Sequence, residues 1–329
     1  MPEPTNATAT PLWKRMLWRR LKFLAWLVAV LVIVLGGSYL FAPQWLMQAN
    51  FKREAMAAKL DTHSVQIGDT RWVYYEGGTG PTIVLLHGFA SDKEVWLPVA
   101  KLLTAHFHVI IPDLPGWGAS SRSPDGNYDI DAQAGRLSSF VQDLQLARFL
   151  LVGHSMGGAI AAVYAAEHPE HVAALALVDS FGLKSSENGF DQQLLTGTNP
   201  FIFDDRAGFA RLAALAFDQP PKLPGRFVDV LVQRNQRDHA FIKRTFNALR
   251  QPSQDLSVQH RLDRLTMPVL GLWCHDDKIT DISALDSLRN GLTASSAIST
   301  SVVSGCNHMP MVEKPQETAQ IITGFALSH

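Results

Sequence analysis

Charge of one sign is what this chain most lacks. Its 29 Lys and Arg face 30 Asp and Glu, for a formal net charge of -1. No basic surface of the kind nucleic acid demands is organised along it, so nucleic acid is excluded as a partner. Metal signatures are missing too, since neither H-E-x-x-H nor C-x-x-C occurs. The twelve histidines therefore do not argue for a metal, and no cofactor is expected. The glycine-rich turn Asp113-Leu114-Pro115-Gly116-Trp117-Gly118 lacks the G-x-x-x-x-G-K-[ST] spacing of a phosphate loop and reads as structural. Cysteine is scarce, with Cys274 and Cys306 alone.

Long apolar runs, by contrast, are present. Residues 23–42 carry no charge, and twenty residues at about 1.5 Å each span about 30 Å, the thickness of a bilayer core. No convincing signal-peptidase site follows, so the run reads as an uncleaved anchor. Lys14, Arg15, Arg19, Arg20 and Lys22 crowd its amino side. The positive-inside rule then keeps residues 1–22 cytoplasmic and puts the rest outside the cytoplasm, in the periplasm of a bacterium. Residues 43–63 mix Trp45, Leu46, Phe51 and Met56 with Lys52, Arg53 and Glu54, a pattern for an amphipathic helix on the membrane or on the domain.

Beyond the anchor, about 270 residues suit one large α/β domain with an insertion. Ser64–Ile67 and Arg71–Tyr75 read as an antiparallel pair. The runs at 82–86, 108–112, 149–152, 172–178, 269–273 and 298–303 read as parallel strands alternating with helices. Between Phe181 and about Leu265 the strand pattern lapses into helical segments rich in phenylalanine, which predicts a helical cap over residues 182–265. An apolar cap beside a membrane suits an acyl chain better than a sugar.

Gly153-His154-Ser155-Met156-Gly157 lies between the strand-like Phe149–Val152 and an alanine-rich helical run. In that context G-x-S-x-G is a nucleophile elbow, whose strained turn leaves no room for side chains at Gly153 and Gly157; elsewhere the same pattern marks a turn with an incidental serine. A serine hydroxyl needs a histidine base and an acid that orients it. Both are expected downstream, in the order serine, acid, histidine, where Asp276-Asp277 and His308 follow late strands. The oxyanion hole is expected from the N–H groups of Met156 and of Phe89, the latter after His87-Gly88 at the end of another strand.

The stretches LLHGFASDKEVW, PDLPGWGASS, LVGHSMGGAIAAVYAAEHPE, LWCHDDKIT and GCNHMPMVEKP together resemble the α/β-hydrolase superfamily, from about Ser64 to the end. The HGF-x-x-x-K-x-x-W stretch (His87, Gly88, Phe89, Lys93, Trp96) with an N-terminal anchor is most similar to membrane-anchored monoacylglycerol lipases and related bacterial lipases. The resemblance implies a mostly parallel eight-stranded sheet, formed by residues 64–181 and 266–329. It implies Ser155 as nucleophile, His308 as base and Asp277 as acid, because the family's aspartate precedes Lys/Arg and then Ile/Val, here Lys278 and Ile279. Asp179, at the end of an earlier strand, is the rival acid.

The activity implied is hydrolysis of lipid-like carboxylic esters. Carbon–carbon bond hydrolysis on the same fold is the runner-up, and a binding protein that lost its chemistry is the third reading. Two departures stand beside the resemblance: Cys274 replaces a common glycine, and Gly305-Cys306-Asn307-His308 replaces Gly-x-Gly-His. The two cysteines flank the acid and base loops, where a disulfide would clamp them, but burial as two free thiols is the favoured expectation.

Overall fold

A computed structural model describes residues 12–329. The first eleven residues of the basic N-terminal segment therefore lie outside the described residues. Helix α1 runs from Leu12 to Phe41, so the helix begins eleven residues before the uncharged stretch and carries the basic residues in its first turns. None of its residues is buried, and it is long and apolar enough to cross a membrane.

Helix α2 (Pro43–Ala57) starts with proline at its first position, where the missing N–H costs nothing. It does not extend through residue 63. The backbone turns at Lys59, at φ +55°, and Leu60 begins a strand. Ala55 and Ala58 are buried against the domain, whereas Trp45 and Met56 are exposed.

Eight strands form one sheet in the order β1-β2-β4-β3-β5-β6-β7-β8. They are β1 (Leu60–Ile67), β2 (Thr70–Gly77), β3 (Thr82–Leu86), β4 (His108–Pro112), β5 (Phe149–His154), β6 (Val172–Val178), β7 (Val269–Cys274) and β8 (Ile298–Val303). Only the β1–β2 and β2–β4 pairings are antiparallel, so β2 runs against the other strands. The central strands read as continuous apolar runs because both faces are covered; every residue of β5 and β7 is buried. The edge strand β8 alternates instead, with Ile298 and Val302 exposed.

One face of the sheet packs on α4 (Ile130–Asp143), α5 (Met156–Glu167) and α10 (Ala284–Gly291), through Leu137, Phe140, Ile160 and Leu288. The other packs on α3 (Leu97–Leu103) and the C-terminal α12 (Pro315–Ser328), through Leu103, Ile322 and Phe325. The four-residue α11 (Pro310–Glu313) precedes α12. Helix α5 can lie close to the sheet because its exposed-face polar residues are absent: it is mostly alanine and glycine, buried from Met156 to Ala166.

Between β6 and β7 the chain leaves the sheet and forms α6 (Gly189–Leu195), α7 (Arg206–Ala216), α8 (Gly225–Leu249) and the single turn α9 (Pro252–Asp255). The long α8 carries Phe241 into the core cluster beneath it, edge-on to Trp117 and Tyr128. Near its start, Phe227 packs edge-on to Tyr39 of α1, with centroids 5.9 Å apart.

Candidate active site

Ser155 occupies the turn from β5 into α5 with φ +51° and ψ -121°, a backbone conformation that a non-glycine residue adopts only under constraint. A side chain at Gly153 would collide with the carbonyl of Gly157, and one at Gly157 with the carbonyl of His87. The glycines are thus required by close backbone approach. The turn leaves Ser155 buried to 8 % exposure, on the floor of a cavity of about 1040 Å³. Phe89, Phe181, Leu183, Phe190, Phe201 and Phe246 contribute to its apolar wall.

The N–H of Met156, at the first position of α5, and the N–H of Phe89 are given to no acceptor among the described residues. Phe89 follows His87 and Gly88, whose loop is held in place by a buried imidazole. His87 Nδ1–H donates to the Gly88 carbonyl (2.8 Å), and Nε2 accepts the N–H of Leu114 (3.0 Å). Burial pushes the His87 pKa down, in keeping with this neutral form.

His308 and Asp277 meet although 31 residues separate them: His308 Nδ1–H donates to Asp277 Oδ2 at 2.8 Å. Asp277 also accepts from Ile279 N–H (2.7 Å), Thr280 N–H (3.0 Å) and Thr280 Oγ1 (2.7 Å). Burial alone would raise its carboxyl; the His308 ring and these donors outweigh burial and hold it below the usual carboxylate range. No hydrogen bond closes between Ser155 Oγ and the His308 ring among the described residues.

Asp179, the rival acid, points elsewhere. Its Oδ1 accepts the N–H of Cys274 (2.8 Å), and its Oδ2 has no hydrogen-bond partner. Full burial, with the Asp277 charge beside it, pushes its pKa well up. Asp276 bonds the neighbouring His275 at the surface.

The two cysteines form a disulfide, Cys274–Cys306, which corrects the expectation of two buried free thiols. Thiol burial was foreseen correctly, as both are fully buried. The parallel pairing of β7 with β8 sets Cys274 opposite Val303, bringing the two loops within bonding distance.

Several supporting residues carried no distinct sequence pattern. His154, the variable position of the elbow, donates Nε2–H to the main-chain carbonyl of His308 at 2.7 Å. Burial, with the neighbouring His308, pushes its pKa down to about 3. Asn307 stands where the family commonly has glycine, and its side chain links three segments: Oδ1 accepts the N–H of Lys278 (2.9 Å), and Nδ2 donates to Leu215 of α7 (2.9 Å). Its own N–H goes to Glu313. Lys93 reaches Asp113 at 2.7 Å, a buried ion pair in which both attraction and burial act on the ammonium and attraction prevails, raising its pKa. Among the described residues no group of acids, histidines and cysteines could hold a metal.

This strand–elbow–helix site under a helical insertion defines a class, and the sequence comparisons agree with it. The model of the alpha/beta hydrolase fold matches residues 81–315, and the chain belongs to that family of hydrolases. Among its relatives is the human monoacylglycerol lipase ABHD6, 29% identical over 318 residues, with 92% of each chain covered. Lipase 1 of Psychrobacter immobilis is 28% identical, over 84% of this chain and 86% of its own.

Among solved structures, a bacterial membrane phospholipase A is 36% identical with a TM-score of 0.83, covering 93% of this chain and 98% of that one. A dienoate hydrolase from Rhodococcus, at 20% identity and a TM-score of 0.70, shares the fold. Among the described residues one N-terminal helix is long and apolar enough to cross a membrane, in agreement with the membrane character of the phospholipase.

Proposed function

We propose that this protein is a membrane-anchored serine hydrolase of lipid-like carboxylic esters, such as monoacylglycerols. The observation that carries the reading is Ser155 on a strained elbow at the floor of an apolar cavity, with the His308–Asp277 pair beside the elbow through His154.

In this reading Ser155 Oγ attacks the ester carbonyl while His308 Nε2 takes its proton. Asp277 holds the ring in the Nδ1–H tautomer and stabilises the imidazolium that forms. The free N–H groups of Phe89 and Met156 receive the oxyanion, and the start of α5 adds its dipole. His308 returns the proton to the leaving alcohol. Water, deprotonated by the same ring, then releases the fatty acid from the acyl-enzyme. Elbow closure onto His308 accompanies substrate binding, since catalytic hydrogen bonds often tighten only in the complex.

In this reading residues 1–22 are the cytoplasmic amino end, 23–42 the anchor, 43–63 a juxtamembrane segment, 64–181 with 266–329 the hydrolase core and 182–265 the cap. The disulfide supports an extracytoplasmic catalytic domain, because such bonds persist in oxidising compartments.

The test is cleavage of 4-nitrophenyl esters from acetate to palmitate, and of monoacylglycerols, by the purified protein and by Ser155→Ala. Serine-dependent cleavage favouring medium or long chains is the expected result. Undiminished cleavage by Ser155→Ala would refute the assignment, and serine-labelling by a fluorophosphonate without ester cleavage would refute the substrate class.

A further inference from the structure

The loop that carries Phe89 is gripped from two sides. On the core side, Lys93 gives its backbone N–H to Asp113 Oδ1 (2.8 Å) and its ammonium to Asp113 Oδ2 (2.7 Å), while His87 takes the N–H of Leu114. On the other side the grip belongs to the helical insertion. Phe89 packs edge-on to Phe201 and Phe246, with centroids 5.1 and 5.7 Å away, and Arg234 of α8 donates Nη1–H to Asp92 Oδ2 at 3.0 Å. Between those contacts Ala90 sits at φ +54°, a conformation that needs surrounding support.

Charge gives the Arg234 contact a second consequence. Lys93 is shared between Asp113 and Glu94, so the direct cation on Asp92 is Arg234. Asp92 lies three residues from the Phe89 N–H. Its negative charge, left uncompensated in a half-buried site, would oppose an oxyanion developing at that N–H.

We propose that Arg234 is a positioning residue of the oxyanion hole, supplied by the insertion: it holds the Phe89 loop through Asp92 and cancels the Asp92 charge beside the developing oxyanion. The proposal rests on the serine-hydrolase reading. Under it the insertion is part of the catalytic frame as well as a wall for the acyl chain. The loop is complete only when α8 is seated.

The experiment is a double-mutant cycle on Arg234→Met and Asp92→Asn, with Arg234→Lys beside it. It reads kcat and KM for 4-nitrophenyl butyrate and the rate of fluorophosphonate labelling of Ser155. Arg234→Met is expected to lower kcat roughly 10- to 100-fold with KM nearly unchanged, and to slow labelling in parallel. Adding Asp92→Asn should recover much of that loss, because the stranded charge is gone, and Arg234→Lys should recover part of it. Normal kcat in Arg234→Met, a rise in KM alone, or a double variant no better than Arg234→Met would overturn the proposal.

If Arg234→Met does not fold, the comparison of Arg234→Lys with the double variant, each checked by thermal melting, decides on the same readouts. A kcat and labelling rate in the double variant above those of Arg234→Lys support charge cancellation, and a loss of kcat there equal to or beyond that of Arg234→Lys refutes it. Ester cleavage that survives Ser155→Ala would instead sink the underlying reading, so the two failures are told apart.

Discussion

Asp179 and Asp277 end neighbouring strands and share Thr280, whose Oγ1 lies 3.1 Å from the Asp179 carbonyl and 2.7 Å from Asp277 Oδ2; only Asp277 reaches the His308 ring. The His308 ring and hydrogen-bond donors hold the Asp277 carboxyl below its usual range, whereas burial and the Asp277 charge push that of Asp179 up. Replacing each by its neutral isostere should therefore separate them. Asp277→Asn is expected to lower kcat by about 10³- to 10⁴-fold, through loss of the correct histidine tautomer. Asp179→Asn should change kcat only a few-fold. Steady-state kinetics on a 4-nitrophenyl ester checks both, and equal losses would contradict the assignment.

The Cys274–Cys306 bond closes a separation of 32 residues between the acid and base loops. Chain-entropy reasoning makes a loop of that size worth roughly 3–4 kcal/mol. Cys274→Ser with Cys306→Ser should lower stability in urea by up to that amount, and unreduced protein unfolded in urea should offer no thiol to iodoacetamide. An alkylated thiol in that sample would refute the bond.

Glu94 lies with Asp92 and Asp113 around Lys93 and Arg234, three carboxyls to two cations. Burial first, then the Asp92 charge, pushes its pKa up to about 8. A carboxyl whose folded value is raised favours folding fully below its unfolded value, near 4.5, and that contribution disappears as pH rises through about 8. Melting temperature should fall as pH rises from about 4.5 to about 8, and Glu94→Gln should flatten the fall. A wild-type profile retained by Glu94→Gln would show the group to be ionised throughout.

Ile202 lines the same cavity as Ser155. Ile202→Trp fills part of the 1040 Å³, so kcat/KM for palmitate esters should fall roughly 10-fold relative to butyrate esters. Equal effects on both chain lengths would place the acyl chain elsewhere.

Much of the framework was legible from residues that are close in sequence. The elbow is local: two glycines, a serine, an apolar run before and alanines after, all within one turn of β5 into α5. The buried strands showed themselves as apolar runs, and the N-terminal apolar helix as an uncharged stretch of bilayer length.

What sequence spacing could not decide was which distant groups meet. The same cysteines suit burial as thiols or a bridge, and the parallel pairing of β7 with β8 chose the bridge. Asp179 and Asp277 both follow strands; the contacts each carboxyl makes, with the N–H of Cys274 for one and with the His308 ring for the other, separated them. Likewise nothing in the spacing of Asp92 and Arg234, 142 residues apart, announces their contact. Local backbone strain and apolar periodicity are written along the chain, whereas the partner of a buried charge is settled only when the sheet, the insertion and the loops close around it.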